Sequence, residues 1–258
     1  ASVVPRLADH PGRPGRLRRA RPPRRVRPPG HHAEPGQSMG FCLFNNVAIA
    51  ARYAQQTLGL KRIAIVDFDV HHGNGSQTAF YDDPSVLFIS THQFPHFPGT
   101  GAYFETGQGK GLGTTLNLPI SPGQGDREYS AIYGRIVRPV LEAFEPEIVL
   151  VSAGFDVLAA DPLGGMLVTP SGVADIAAHL QAACAALGHH RIVLTLEGGY
   201  DLHGLVSGVD RCARVLTTSS APTDVQARLE SLPLADIGVH LAWYREHFPD
   251  FGKVFEPQ

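Results

Sequence analysis

The sequence has few cysteines and no long apolar run. Its 258 residues include three cysteines, Cys42, Cys184 and Cys212, an odd number whose spacing predicts neither a disulfide framework nor a Cys-type zinc site. No window of about 18 uninterrupted apolar residues occurs, and the first residues lack the basic-then-apolar pattern of a secretory leader. We therefore expect reduced thiols, no membrane association and a cytoplasmic location.

Charged residues of both signs are nearly balanced but unevenly placed. The first 30 residues hold nine arginines, seven prolines and one aspartate, whereas the other 228 hold 13 basic and 23 acidic residues. An Arg/Pro-rich composition cannot bury a core, so residues 1–26 are predicted to be a disordered leader ahead of one domain, residues 27–258. We interpret the leader as a tail; nucleic acid binding is the alternative, and we do not expect it.

Short apolar runs rich in β-branched residues alternate with helical patterns along the chain. The predicted strands are residues 63–70, 86–90, 148–152 and 192–196, and the predicted helices are residues 45–58, 126–144, 171–187 and 203–217. This alternation predicts an α/β fold whose parallel sheet is covered by helices on both faces. Residues 93–125 contain eight glycines and are predicted to form a functional surface loop.

Polar residues gather where the predicted strands end. In an open parallel sheet, ligands bind beyond the carboxyl ends of the strands. The four strand ends of this chain carry, in order, residues 67–75 (DFDVHHGNG), 90–92 (STH), 154–156 (GFD) and 197–200 (EGGY). Carboxylates, imidazoles and one phenol are thus predicted to meet at a single edge of the sheet.

The first of these ends has the pattern of a metal site. Residues two apart in an extended segment point the same way, so Asp67, Asp69 and His71 share one direction. Asp156 from the third strand end is the natural further ligand. Oxygen and nitrogen ligands without thiolate suit a catalytic zinc ion. A lone aspartate would more simply cap a helix, but the combination favours a metal.

Two adjacent histidines precede the first predicted helix. His31 and His32 follow a Pro-Pro-Gly segment, residues 28–30, which restricts the backbone and would aim both imidazoles. Taken alone, such a pair is more simply a solvated turn.

Six blocks occur in a characteristic order. They are RPPGHHA (27–33), GFCLFNN (40–46), DFDVHHGNG (67–75), FPGTG (97–101), AGFDVLAADPLG (153–164) and LEGGY (196–200). With them, residues 27–217 resemble the arginase-type histone deacetylase family, which includes bacterial deacetylase-like amidohydrolases and acetylpolyamine amidohydrolases; the HGNG and EGGY forms are similar to its class II branch. The resemblance implies a three-layer α/β/α fold, here with a truncated N-terminal portion.

The same resemblance implies a metal and a second ion. Asp69, His71 and Asp156 would be the zinc ligands, in agreement with the spacing argument. A structural potassium ion is implied at the main chain around Asp67, together with Ser90.

Catalytic roles follow from the resemblance as well. His31 and His32 would be the imidazole pair that moves protons, and Tyr200 would donate its hydroxyl to the carbonyl oxygen. Asp67 would orient His31, and Asn74 would orient His32.

Substrate contacts are implied by the blocks at residues 40–46, 97–101 and 153–164. Phe41 and Phe97, which without this context are plain core aromatics, would form the walls of a narrow tunnel. Gly40 would lie beside them, and Leu163 would lie near the mouth.

The implied function is zinc-dependent hydrolysis of the acetyl amide of acetyl-lysine, or of a related acetylated amine, with release of acetate. Two alternatives stay open: an acetylpolyamine substrate, and a non-catalytic metal-binding or acetyl-recognition module derived from a deacetylase. A shortened domain would also leave one sheet edge uncovered. Homo-oligomerisation would cover that edge, and truncation alone would leave it bare.

Overall fold

Five parallel strands build the sheet. They are β1 (Ile63–Asp67), β2 (Val86–Gln93), β3 (Thr115–Ile120), β4 (Ile148–Ala153) and β5 (Ile192–Leu196). Their spatial order is β3-β2-β1-β4-β5, which places β1 at the centre. The computed structural model describes residues 28–218 and 234–255, so the leader predicted for residues 1–26 lies outside the described residues.

Helices cover both faces of this sheet. They are α1 (Asn46–Leu58), α2 (Asn74–Phe80), α3 (Asp126–Ile132), α4 (Arg138–Phe144), α5 (Pro170–Ala186), α6 (Leu202–Thr217) and α7 (Leu241–His247). A π-helical turn, Tyr133–Val137, joins α3 to α4, so the helix predicted over residues 126–144 is continuous but locally widened.

Two separate cores show why three layers form. In β1, Ile63 and Ile65 pack with α1 and with Phe80 of α2, whereas Ala64 and Val66 pack in the larger core on the opposite face. Alternate residues of a strand point to opposite faces, and an apolar run buries both. The predicted α/β fold with three layers is confirmed.

The stretch predicted as a surface loop, residues 93–125, contains one strand that the sequence pattern missed. The apolar run of β3 is interrupted by the polar residue Asn117 and by Pro119, yet every residue of that strand is buried. Distant parts of the chain bury β3. It pairs with β2, residues Ala235–His240 pack against it, and the Tyr244 hydroxyl of α7 donates a hydrogen bond of 2.7 Å to the Asn117 carbonyl.

The opposite edge of the sheet, which β5 forms, is partly exposed. Among the described residues β5 pairs with β4 alone, and Val193, its second residue, is 37% exposed. None of the helices in the described ranges has the length and apolar character needed to cross a membrane.

Candidate active site

The parallel register brings the strand ends to one place. Asp67, the last residue of β1, lies opposite Ser90 of β2 and Ser152 of β4. The segments that follow these strands therefore meet at the same edge of the sheet.

One candidate metal centre lies at this edge. Asp69, His71 and Asp156 each offer one ligand atom, and these atoms lie within 4.8 Å of one another. His71 Nδ1 is 3.0 Å from Asp69 Oδ1 and 3.3 Å from Asp156 Oδ2. The sequence prediction that these three side chains converge is thus matched by their positions.

The backbone holds the two acids in place. The Gly198 N–H donates to Asp69 Oδ2 at 2.8 Å, and the Val70 N–H donates to Asp156 Oδ1 at 2.9 Å. Gly198 is required here, because a Cβ at that position would collide with both carboxylates. The other oxygen of Asp156, Oδ2, is buried and faces His71 Nδ1 at 3.3 Å, so it points to the place where the three candidate ligands converge.

The electrostatics of this group fit a divalent cation. Burial and the neighbouring Asp69 raise the pKa of Asp156 to about 7. Burial opposes a charge on His71, but its hydrogen bonds to Asp156 and Asp69 outweigh burial and raise its pKa to about 10. Two buried acids side by side need positive charge between them. Two oxygens and one nitrogen without thiolate form the donor set of a catalytic zinc site with an open position.

The two histidines predicted as a pair stack at the same edge. Their ring centroids are 4.0 Å apart. His31 Nδ1 lies 2.9 Å from Asp67 Oδ2, and His32 Nδ1 lies 2.8 Å from Asn74 Oδ1. Each histidine therefore has the orienting partner that the resemblance implies.

These different partners separate the pKa values of the pair. Burial lowers the pKa of His31, but Asp67 and Asp69 outweigh it and hold the pKa well above its usual value. Burial, followed by the charge on His31, lowers the pKa of His32 to about 3. The pair thus combines a cationic imidazole with a neutral one, so His32 is the ring of the pair that keeps an unprotonated nitrogen.

Tyr200 stands at the side of this group. It follows Gly199, whose φ of 128° lies in the region that favours glycine. Its ring centroid is 6.3 Å from that of Phe41, and the residue is 38% exposed. Burial and the nearby acids Asp156 and Asp69 raise its pKa above the ordinary value, so the hydroxyl stays a proton donor.

A pocket leads from the surface to the candidate metal centre. It is lined by Pro29, His31, His32, Gly40, Phe41, Asp69, His71, Phe97, Leu163, Gly198 and Tyr200. Phe41, Phe97 and Leu163 are 73%, 48% and 44% exposed, which places them at the rim. The four residues predicted to contact substrate therefore line one pocket, while Asp67, Asn74 and Asp156 lie behind its wall.

Ser90, the proposed potassium ligand, is fully buried beside β1. Its hydroxyl lies 2.9 Å from His92 Nδ1, and Asp67 Oδ1 accepts a hydrogen bond from the Asp69 N–H. The potassium site stays a prediction.

Sequence reasoning missed two contributors. Buried Glu197 accepts hydrogen bonds from the Gly30 and His31 N–H groups at 2.6 and 3.1 Å and so fixes the turn before the histidine pair. A lone acid at the end of an apolar strand was the available signal. His96, for which the sequence suggests no partner, stacks on His71 at 5.0 Å and contacts the Leu163 carbonyl at 3.2 Å.

Comparison with known proteins gives consistent results. The family model described as Histone deacetylase domain matches residues 23–216. Histone deacetylase 10, chloroplastic, of Oryza sativa subsp. japonica is 52% identical over 184 residues, which are 71% of this chain and 42% of that protein. Histone deacetylase 9 of Homo sapiens is 48% identical over 200 residues, with 74% and 19% coverage.

A solved structure agrees with these relatives. The HDA15 HD domain matches with a TM-score of 0.77 and 38% identity over 89% of this chain and 63% of that chain. The chain spans less than half the length of the curated relatives it matches. With a matched domain that covers most of its length, the chain belongs to the histone deacetylase family.

Proposed function

We propose that this chain hydrolyses the acetyl amide of acetylated lysine side chains and releases acetate, with zinc held by Asp69, His71 and Asp156. One observation carries the proposal: the metal-ligating group lies at the bottom of an apolar-walled pocket that also presents a histidine pair and a tyrosine hydroxyl.

The chemistry of the amide explains why these groups are needed together. An amide carbonyl is a poor electrophile, so hydrolysis requires polarisation of the carbonyl, a hydroxide-like water and a donor for the developing oxyanion. Zinc, when bound, supplies the polarisation and lowers the pKa of water toward ~7.

His32 is the proton acceptor in this proposal. Because Asn74 Oδ1 is an acceptor for His32 Nδ1, the ring carries its proton on Nδ1 and leaves Nε2 open. Nε2 takes the proton of the attacking water and returns it to the departing lysine amine. His31, held by Asp67, remains cationic and stabilises negative charge nearby.

Tyr200 and the aromatic walls complete the site. The Tyr200 hydroxyl donates to the carbonyl oxygen as that atom becomes anionic. Phe41 and Phe97, which pack against Tyr200 and His32 respectively, hold the aliphatic part of the side chain and exclude water.

The pocket favours acetyl-lysine over an acetylated polyamine. Polyamines carry further ammonium groups, which need carboxylates along the wall. Asp69, at the bottom of the pocket, is the only carboxylate among the described residues that line it. A neutral, apolar rim accommodates the aliphatic part of a lysine side chain better than it accommodates a second ammonium group.

A substrate panel tests the proposal. Turnover of fluorogenic acetyl-lysine peptides is expected to exceed that of acetylated polyamines, to stop with a chelator and to return with zinc. Preference for polyamines would overturn the choice of substrate. Bound metal without turnover of either class would identify a non-catalytic module instead.

We also retain the cytoplasmic location as a proposal. The word chloroplastic in the names of two relatives describes those proteins. Subcellular fractionation of the native host tests it, and recovery of the protein in an organelle fraction would contradict it.

A further inference from the structure

A buried carboxylate outside the catalytic group connects two parts of the pocket. Asp161 lies in the segment between β4 and α5 and is 6% exposed. Its Oδ2 accepts hydrogen bonds from the backbone N–H groups of Tyr200 at 2.7 Å and Asp201 at 3.2 Å. Its Oδ1 accepts one from the Leu163 N–H at 2.9 Å.

The Tyr200 backbone needs such a support. Two glycines precede it, and Gly199 has a φ of 128°, so the segment leading into Tyr200 has the largest conformational freedom a chain can have. On the other side, the Asp201 side chain is used to cap α6 by accepting from the Gly204 N–H at 2.8 Å. Asp161 therefore ties the end of this glycine segment to the loop that carries Leu163.

A displaced tyrosine would lose its function before the fold is lost. An oxyanion donor works only within a few tenths of an ångström of its position, and a shift of about 1 Å can reduce the rate a hundredfold. Hydrogen bonds to a charged carboxylate are stronger than those between neutral groups, so Asp161 can hold the two peptide groups more firmly than a neutral acceptor.

We propose that Asp161 is a positioning residue, which fixes Tyr200 beside the metal centre and, through its other oxygen, fixes the Leu163 wall of the same pocket. This inference rests on the proposed function, because the role of Asp161 is expressed through the Tyr200 hydroxyl. It also makes the donor and the pocket mouth depend on one side chain.

Asp161→Asn tests the assignment. The amide nitrogen cannot accept a hydrogen bond, so one of the two sets of N–H groups loses its partner while the size of the side chain is kept. We expect kcat for an acetyl-lysine peptide to fall roughly 10- to 100-fold, as for other groups that orient catalytic residues. The amount of metal bound per chain should be unchanged, because Asp161 does not contact Asp69, His71 or Asp156.

A double-variant cycle separates positioning from general damage. If Asp161 acts through Tyr200, then adding Asp161→Asn to Tyr200→Phe lowers kcat by less than about twofold further. A structural role alone would give the same fold-loss in both backgrounds. That result, or an unchanged kcat in Asp161→Asn alone, would overturn the inference.

Asp126→Asn is the matched control. Asp126 also accepts from a loop, through the Thr169 N–H and hydroxyl at 2.7 and 2.6 Å, but it does not line the pocket. The Asp126→Asn variant should be less stable than the wild type but have the same kcat. Wild-type activity in Tyr200→Phe would overturn the proposed function of Tyr200. Wild-type activity in Asp161→Asn, together with an inactive Tyr200→Phe, would overturn only the positioning role of Asp161.

Discussion

The phenol of Tyr200 and the three metal-ligating side chains work as one unit in the proposed reaction. A single donor to an oxyanion lowers the barrier by ~3 kcal/mol. Tyr200 is 38% exposed and is held through its backbone N–H by Asp161, so the fold is not expected to depend on its hydroxyl. Its loss should therefore affect rate and not stability.

Tyr200→Phe is expected to lower kcat about a hundredfold or more, the usual cost of one oxyanion donor, with an unchanged melting temperature. Steady-state kinetics and thermal denaturation measure the two quantities. Tyr53→Phe, on α1, is the control for loss of a phenol elsewhere. Activity above about a tenth of the wild-type value in Tyr200→Phe would contradict the assigned role.

At the residue scale, the spacing of residues in the sequence predicted only part of the candidate site. Asp69 and His71 face each other as predicted, but Asp67 faces His31 instead. The alternation of side chains holds only within a strand, and β1 ends at Asp67. The partner of Asp67 came from the resemblance, because residues 36 positions apart cannot be paired by spacing.

At the scale of elements, the periodic segments were predicted well and β3 was not. Strands β1, β4 and β5 and helices α1, α5 and α6 begin or end within a few residues of their predicted bounds, because apolar periodicity determines them. Strand β3 is buried by β2 and by the distant residues 235–240, and no local pattern contains those contacts.

Tyr244→Phe tests how α7 stabilises this edge. The substitution removes the 2.7 Å hydrogen bond to the Asn117 carbonyl, an acceptor that is buried. We expect the free energy of unfolding to fall by about 1–2 kcal/mol, because a buried acceptor loses its partner. Urea denaturation measures it, with Tyr53→Phe as the control, and equal stabilities would show that α7 does not protect β3.

The α3–α5 contact predicts a pH effect on stability. His179 of α5 is 5% exposed, and Ser130 Oγ of α3 lies 3.3 Å from its Nε2. Burial, with a smaller effect of Arg138, lowers the pKa of His179 to about 4. The unfolded chain therefore binds this proton first, and stability falls as pH decreases from about 6.5 toward 4.

His179→Gln should remove this part of the pH dependence. Relative to the wild type, the variant gains up to about 2 kcal/mol between pH 7 and pH 5, because it has no buried imidazole to protonate. Denaturant unfolding at several pH values measures the difference. His203→Gln, on the exposed side of α6, controls for loss of a surface histidine. A constant difference between His179→Gln and wild type across this range would contradict the account.

At the scale of the whole molecule, the edge strand β5, which pairs on one side only among the described residues, bears on assembly. Homo-oligomerisation would cover this edge, where Val193 of β5 is exposed. The homo-oligomer stays a prediction. Light scattering at increasing protein concentration should give a mass above that of one chain, and a single-chain mass throughout would contradict it.

Much of the architecture could be predicted from the sequence because the candidate metal ligands follow strands, and the strand ends of a parallel sheet converge. What could not be read were contacts that depend on the path of loops, such as Asp161 to Tyr200 and Glu197 to His31. Those contacts join segments 39 and 166 residues apart, and they decide how tightly the site is held.

Metal analysis of the purified protein tests the central claim most directly. Elemental analysis should find about one zinc ion per chain in the wild type and almost none in Asp156→Asn, because three ligands are needed for a stable site. Deacetylation should decrease in proportion to the zinc removed. Full activity in a protein that contains no divalent metal, or a full equivalent of zinc in Asp156→Asn, would contradict the account.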